Sequence, residues 1–129
     1  MVIQVITQIK NMFGNIELPN VYLLHGGLNR KELNSLYNHP KIKAMVSFTH
    51  GEGFGHPILL STLSGKPTVV SNWSGHLDFL NPKYTSFFDG SLKQIDPASA
   101  NDWLIKESSW FYVAYGLAED KFKQYYLSK

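Results

Sequence analysis

One stretch of the sequence, residues 49–57, limits the possible folds of this chain more than any other. It reads THGEGFGHP, with glycine at three alternate positions, the carboxylate of Glu52 among them and a proline at its end. An apolar run, residues 44–48, precedes it, and a second apolar run continues to Gly65. Glycine lets the backbone approach a ligand closely, and proline suits the first turn of a helix. The stretch therefore predicts a tight turn from a buried strand into a helix, with a ligand site at the turn.

The spacing of apolar residues predicts alternating helices and strands along the chain. Asn29, followed by Glu32 three positions later, predicts a capping box at the start of one helix. The predicted helices cover residues 2–13, closing near Gly14, then residues 30–38, and then Pro57 to Gly65, which is almost wholly apolar and is expected to be buried. The predicted strands cover residues 21–25, 44–48 and 68–71, with weaker ones at 85–88 and 92–95 on either side of a turn at Asp89-Gly90. This order predicts an α/β fold with a parallel sheet.

The C-terminal part of the chain is rich in aromatic residues. From Ala98 onward the pattern predicts helix, with a break or bend at Gly116. Its apolar faces would be formed by Trp103, Trp110, Phe111, Val113, Ala114, Leu117 and Phe122, and the aromatic density continues through Tyr125 and Tyr126. Two interpretations stay open. These side chains complete the core, or they cover a sheet edge as an interface for an acceptor domain or a second copy of the chain.

Composition narrows the class of protein. A chain of 129 residues with 43% apolar and 17% charged residues predicts one folded globular domain over residues 1–129. The sequence has no cysteine, which excludes disulfides, thiolate metal sites and a cysteine nucleophile. A net charge of +2 without a long run of like charges gives no indication of nucleic-acid binding. Because the sequence shows neither an apolar run of membrane-spanning length nor a secretion signal, we expect a cytoplasmic protein.

The ligand site is expected beyond the carboxyl ends of the strands, where loops lead into helices. Two loops qualify, residues 26–29 and residues 49–56. The helix that begins near Gly55 presents unpaired amides and the positive end of its dipole, which suits phosphate. Glu52 would repel a phosphate, so we expect its carboxylate to accept hydrogen bonds from hydroxyl groups. A nucleotide sugar carries both kinds of group.

Other kinds of site fit the sequence less well. The glycine spacing is neither the G-x-G-x-x-G of a dinucleotide site nor that of a P-loop, which ends in G-K-[ST]. Two histidines and a carboxylate lie within residues 50–56, but their spacing matches no metal-binding pattern, so no metal site is expected. Ser74, His76 and Asp78 lack the G-x-S-x-G elbow of a hydrolase, and we expect them to form a structural turn.

Residues 20–80 resemble the donor-binding half of a GT-B fold, retaining glycosyltransferase of the family 4 type. The resemblance rests on the sequence EGFGHP at residues 52–57, on GKPTVV at residues 65–70, and on the pairs Glu32-Leu33 and Leu36-Tyr37. It implies a Rossmann-like, three-layer domain with a parallel sheet of about four strands flanked by helices. The chain as a whole is then expected to be a single, partial donor-binding domain, like part of a GT-B C-terminal domain.

The resemblance also implies roles for individual residues. Glu52 matches the first glutamate of the family's motif and is implied to be the catalytic residue, in contact with hydroxyls of the donor sugar. The amides that follow it are implied to hold the diphosphate. The implied substrate-binding residues are Gly27, Leu28, His50, Gly51, Gly53, Phe54, Gly55 and His56. The implied reaction transfers a sugar from a UDP- or GDP-linked donor to an acceptor hydroxyl with retention of configuration, and it uses no metal or other cofactor.

The chain departs from the family pattern at two points. The second glutamate of the motif, which usually binds the nucleotide ribose, falls on Leu60, and leucine cannot accept a hydrogen bond. The basic pair that neutralises the leaving phosphates has no match, and an acceptor domain is expected to be supplied from elsewhere. An alternative interpretation is therefore a non-catalytic interaction module on a donor-domain scaffold.

Overall fold

The computed structural model describes residues 2–14, 17–116 and 120. The helices are α1 (Val2–Phe13), α2 (Arg30–Asn38) and α3 (His56–Leu63), and the strands are β1 (Met45–Ser47), β2 (Thr68–Ser71), β3 (Thr85–Phe88), β4 (Gly90–Gln94) and β5 (Ser109–Val113). Short 3₁₀ turns cover Gly75–Asp78 and Pro97–Ser99. The predicted α/β fold is confirmed, and the first two helices and the strands at 68–71 and 85–88 lie where the sequence predicts them.

The centre of the domain is a parallel sheet in the order β1-β2-β3. Met45 pairs with Thr68, and Thr68 pairs with Thr85, so the three strands start level with one another. All four residues of β2 are buried. Its continuous β-branched run suits a strand covered on both faces, which is why it takes the central position. The carboxyl ends of the three strands therefore share one edge of the sheet.

Two apolar clusters cover the two faces of β2. Val69 packs with Phe88, Phe111 and Val113 on one face. Val70 packs with Ile58 of α3 and Leu80 on the other. Because neighbouring residues of a strand point to opposite faces of the sheet, Val69 belongs to one cluster and Val70 to the other. Within α3 only Ile58 and Ser61 are buried and Leu63 is exposed, so the expectation of a fully buried helix is wrong. The helix covers the sheet with one side only.

An antiparallel ribbon of β4 and β5 covers the face that α3 leaves open. This corrects two predictions. Residues 109–113 form a strand and not a helix, because they pair along their whole length with β4, from Gly90 opposite Val113 to Gln94 opposite Ser109. Asp89-Gly90 is not the turn of a hairpin between the two predicted strands, because β3 and β4 belong to different sheets. The apolar and aromatic faces predicted for this segment also include Leu117, Phe122, Tyr125 and Tyr126, which lie outside the described residues.

Residues 21–25 do not form the predicted buried strand. They have no regular secondary structure and no sheet partner in the part that the structure describes, and Val21, Tyr22, Leu23 and Leu24 are all exposed. The parallel sheet accordingly has three strands there, where about four were expected.

The N-terminal helix α1 ends before Gly14, as predicted, and none of its residues is buried. Among the described residues, no helix combines the length and the hydropathy that crossing a bilayer requires.

Candidate functional site

The glycine turn leaves β1 and enters α3 through Gly55. This residue is the N-cap of α3 and has a left-handed backbone, with φ of 82°. A Cβ at this position would also lie 2.9 Å from the Cβ of His76. Both the conformation and the close packing require glycine. The sequence therefore folds into a sharp strand-to-helix turn at the position that the alternating glycines predict.

The N-terminus of α3 has no side-chain cap. No side chain of the described residues bonds to it, and Pro57 in its first turn has no N–H to offer. The N–H groups of Gly53, Phe54 and Gly55 in the approaching turn also donate to no other described residue. Unpaired amides and the helix dipole together place partial positive charge at this point. The turn can thus bind an anion through its backbone.

The loop after β2 fixes the backbone of Glu52. The N–H of Glu52 donates to Oγ of Ser74 over 2.9 Å, and that hydroxyl donates back to the carbonyl of Glu52 over 2.6 Å. The N–H of Gly75 donates to the same carbonyl over 3.1 Å. The half-buried carboxylate of Glu52 makes no hydrogen bond or ion pair with a described residue. Its backbone is held in place while its oxygens remain available to a ligand.

The glycine turn and the loop after β2 lie so close together that the backbone of Ser74 is strained and no side chain fits at Gly75. Ser74 is the one described non-glycine residue with a positive φ, at 90°. A Cβ on Gly75 would overlap the carbonyl oxygen of Gly53. Backbone strain of this kind costs on the order of 1–3 kcal/mol and persists where the surroundings impose it. Here the bonds to Glu52 impose it.

The sequence predicts a structural turn at Ser74, and the family resemblance implies that residues 73–75 lie near the donor pocket. The structure shows that this turn holds the backbone of Glu52, the predicted catalytic residue. A Ser-Gly pair, separated by two residues from the end of a buried strand, was the available signal. His76 is fully buried and bonds through Nε2 to the carbonyl of Ser71 over 2.8 Å. Because a carbonyl only accepts, Nε2 carries the proton. Ser74 donates to Glu52 and not to His76, so these residues do not form a hydrolase triad.

His50 is held by β5. Its Nδ1 donates to the carbonyl of Phe111 over 2.8 Å, and the N–H of Phe111 donates to the carbonyl of His50 over 3.0 Å. The imidazole is stacked on Trp110, with ring centroids 4.8 Å apart and planes 3° from parallel, and it packs at an angle against Tyr112. Nδ1 is thus occupied, and Nε2 is the ring nitrogen left for a ligand. Trp110 and Tyr112 of β5 thus form one wall beside the turn.

The remaining predicted residues of the turn are exposed. Phe54 rests against Phe79 with ring centroids 5.1 Å apart and is 53% exposed. Gly51, Gly53 and His56 are exposed as well. The structure brings these residues together with His50 and Glu52 on one turn, at the carboxyl edge of the sheet.

A cavity of about 590 Å³ lies between α2 and α3, beside the uncapped helix end. Its lining includes Arg30, His56, Leu60 and Tyr37. Burial raises the pKa of the Tyr37 phenol, which therefore stays neutral and can donate a hydrogen bond. Arg30, the first residue of α2, brings a permanent positive charge to this cavity, which is also lined by His56, the first residue of α3.

The loop at residues 26–29 is less closely connected to the turn. Gly27 and Leu28 are exposed, and the described residues show no hydrogen bond between this loop and residues 49–56. The connection runs through Arg30, which follows the loop and shares the cavity with His56. A ligand role for Gly27 and Leu28 stays a prediction.

Comparison with known proteins identifies the family. The model of the family described as glycosyl transferases group 1 matches residues 6–108, which include the glycine turn, the cavity and the Ser74 loop. A search of curated proteins and a search of solved structures each return no match.

Proposed function

The chain belongs to the group 1 glycosyl transferases, and we propose that it binds a nucleoside diphosphate sugar at residues 52–56 for transfer of the sugar, with retention, to an acceptor hydroxyl. One observation carries the proposal. The uncapped N-terminus of α3, which suits a phosphate, lies beside the unpaired carboxylate of Glu52, which suits hydroxyls. A nucleotide sugar presents both groups a few bonds apart.

In this proposal the diphosphate binds to the amides of Gly53, Phe54 and Gly55. Negative charge grows on the diphosphate as the bond to the sugar breaks, and fixed dipoles aimed at it lower the barrier. Arg30 supplies a full positive charge from the neighbouring cavity. The helix end and this guanidinium would then neutralise the leaving phosphates in place of the basic pair that the sequence lacks. The proposed reaction requires neither a metal nor a cofactor.

Glu52 would contact the sugar and not the phosphates. An ionised carboxylate only accepts hydrogen bonds, and sugar hydroxyls donate them. The bonds from Ser74 and Gly75 hold the Glu52 backbone, so the carboxylate needs little reordering when the donor binds. This arrangement orients the sugar relative to its leaving group.

Leu60, which stands in place of the second glutamate of the motif, is expected to lower the affinity for the nucleoside part of the donor. It lines the cavity between α2 and α3 but offers no acceptor for ribose hydroxyls. Affinity would then come mainly from the diphosphate and the sugar, and UDP- and GDP-linked donors should bind with similar strength. The same residue also favours the second candidate function, an interaction module without turnover. A purified chain that releases UDP from UDP-sugars in the presence of an acceptor would rule that module out.

Calorimetric titration with UDP-glucose and GDP-mannose tests the donor site. Glu52→Gln removes one charged acceptor and keeps the size of the side chain. We expect it to weaken donor binding about tenfold, since a hydrogen bond to a charged group contributes roughly 1.5–3 kcal/mol.

Glu107→Gln is the matched control, because Glu107 is an exposed carboxylate whose described partner is Lys106, 3.7 Å away. Absence of binding by the wild-type chain, or an equal loss in both variants, would contradict the proposal.

A further inference from the structure

The cavity between α2 and α3 is a groove that follows one face of each helix. One side of its lining runs from Arg30 to Asn38, and the other side runs from His56 to Ser64. Because Arg30 and His56 are the first residues of their helices, the groove opens beside the turn that is proposed to bind the diphosphate. Its volume of about 590 Å³ lies within the range of small-molecule sites, roughly 300–1,000 Å³. A group attached to the diphosphate can therefore enter it.

The part of the donor that fits this groove is the nucleoside. In a nucleotide sugar, the sugar and the nucleoside are attached to opposite ends of the diphosphate. Glu52 precedes the amides of the turn and is proposed to contact the sugar, whereas the groove begins after them, at His56. Leu33, Leu60 and Leu63 give the groove an apolar lining, which suits the carbon faces of a ribose and a base.

Most polar side chains of the groove already have partners. Nδ2 of Asn38 donates to the carbonyl and to Oδ1 of Asn34, and Oγ of Ser64 donates to the carbonyl of Leu60. The half-buried phenol of Tyr37 bonds to no described residue. Burial raises its pKa, so the phenol stays neutral and can both donate and accept a hydrogen bond. Tyr37 is thus a free polar group along an otherwise paired wall.

Tyr37 also lies at a suitable depth in the groove. It follows Arg30 by seven residues, about two turns or 10 Å along α2. Side chains of a helix lean toward its N-terminus, which brings the phenol nearer to the helix starts than its Cα. A nucleoside that continues from the diphosphate into the groove brings its ribose there first, since the ribose lies between the phosphates and the base.

We propose that the Tyr37 phenol bonds to a ribose hydroxyl of the donor, in a groove where Leu60 offers no acceptor. This inference rests on the proposed function and names a specificity-determining residue for its donor. Ribose hydroxyls donate and accept, so a neutral phenol can pair with one of them in either direction. Ribose is common to UDP and GDP. Tyr37 therefore distinguishes a ribonucleotide from a nucleotide without these hydroxyls, and it does not distinguish one base from another.

Calorimetric titration of the full chain with UDP and with dideoxy-UDP, which lacks both ribose hydroxyls, tests the contact. The wild type should bind UDP about fivefold more tightly, the effect of one uncharged hydrogen bond. Tyr37→Phe removes the phenol oxygen and keeps the ring, so it should abolish this preference by weakening the binding of UDP alone. Tyr84→Phe is the matched control, because Tyr84 is 64% exposed and lies outside the groove.

Two results would overturn the contact: equal affinity of the wild type for the two nucleotides, or a preference for UDP that Tyr37→Phe leaves unchanged. In both cases the nucleotides still bind, so the proposed donor site would stand without a role for Tyr37. If neither nucleotide bound to the wild type, the proposed function and the contact would fail together. Circular dichroism checks that each variant is folded, and the comparison of the two nucleotides in the wild type depends on no variant.

Discussion

The N-termini of α2 and α3 are built in opposite ways. At α2, Oδ1 of Asn29 accepts from the N–H groups of Lys31 and Glu32, and the Glu32 carboxylate accepts from the N–H of Asn29 over 2.8 Å. At α3, Gly55 occupies the cap position and no described side chain bonds to the helix start. One helix satisfies its first amides internally, and the other leaves them unpaired.

The difference separates a helix start that is stabilised by its own residues from one that leaves amides unpaired for the proposed ligand. The cap of α2 uses residues within one turn, so it needs no help from the rest of the fold. The start of α3 depends on distant residues, since Gly55 packs against His76 and the preceding turn is held by Ser74. An uncapped helix end costs stability. An unpaired helix end beside Glu52 is what the proposed anion-binding turn requires.

The largest expected effect comes from disturbing the support of the α3 end. Gly75→Ala places a methyl group on the carbonyl oxygen of Gly53, and it should lower the free energy of unfolding by about 3 kcal/mol, at the upper end of overpacking effects. Urea denaturation measures this change. Gly53→Ala is the matched control, since a Cβ there meets no heavy atom within 4 Å. Equal loss of stability in the two variants would show that the contact between the loops carries no strain.

Hydrogen exchange compares the two helix ends directly. Adding UDP should slow exchange of the Phe54 and Gly55 amides about tenfold, because in the proposed site a bound diphosphate accepts their hydrogen bonds. The amides of Lys31 and Glu32 are already bonded to Asn29 and should not change. NMR in deuterated buffer resolves the four sites. Slowing confined to α2, or spread evenly over both helices, would argue against a site at α3.

The smallest expected effect lies at the capped end. Asn29→Ala removes the acceptor for two amides and should lower the free energy of unfolding by about 1 kcal/mol. Asn29→Ser keeps a capping oxygen and should retain most of the stability. Thermal unfolding of both variants measures the difference. If serine were as destabilising as alanine, the Asn29 side chain would not be the group that stabilises α2.

Much of the fold could be predicted from residues that are close neighbours in the sequence. The Asn29 and Glu32 pair correctly predicts the start of α2, and Pro57 marks the first turn of α3. These features depend on neighbours within a few residues, which the sequence displays directly. The alternating glycines likewise locate the turn that carries Glu52.

Features that depend on distant partners could not be predicted in the same way. Residues 21–25 read as a buried strand, but an apolar run becomes a strand only when another strand pairs with it, and the described sheet ends at β1. Residues 109–113 have aromatic spacing that also suits a helix, and pairing with β4 decides in favour of a strand. The role of Ser74 at the site depends on bonds to a residue 22 positions away.

That separation of 22 residues also determines when the site forms during folding. The turn alone has no intrinsic reason to hold its ligand-binding shape, so the site exists only after β1, α3 and β2 have assembled. A ligand that recognises it binds the native state and not the unfolded chain. By mass action such a ligand adds about 2.7 kcal/mol to the free energy of unfolding at a concentration 100 times its Kd. The donor would then act as a folding partner for the segment that recognises it.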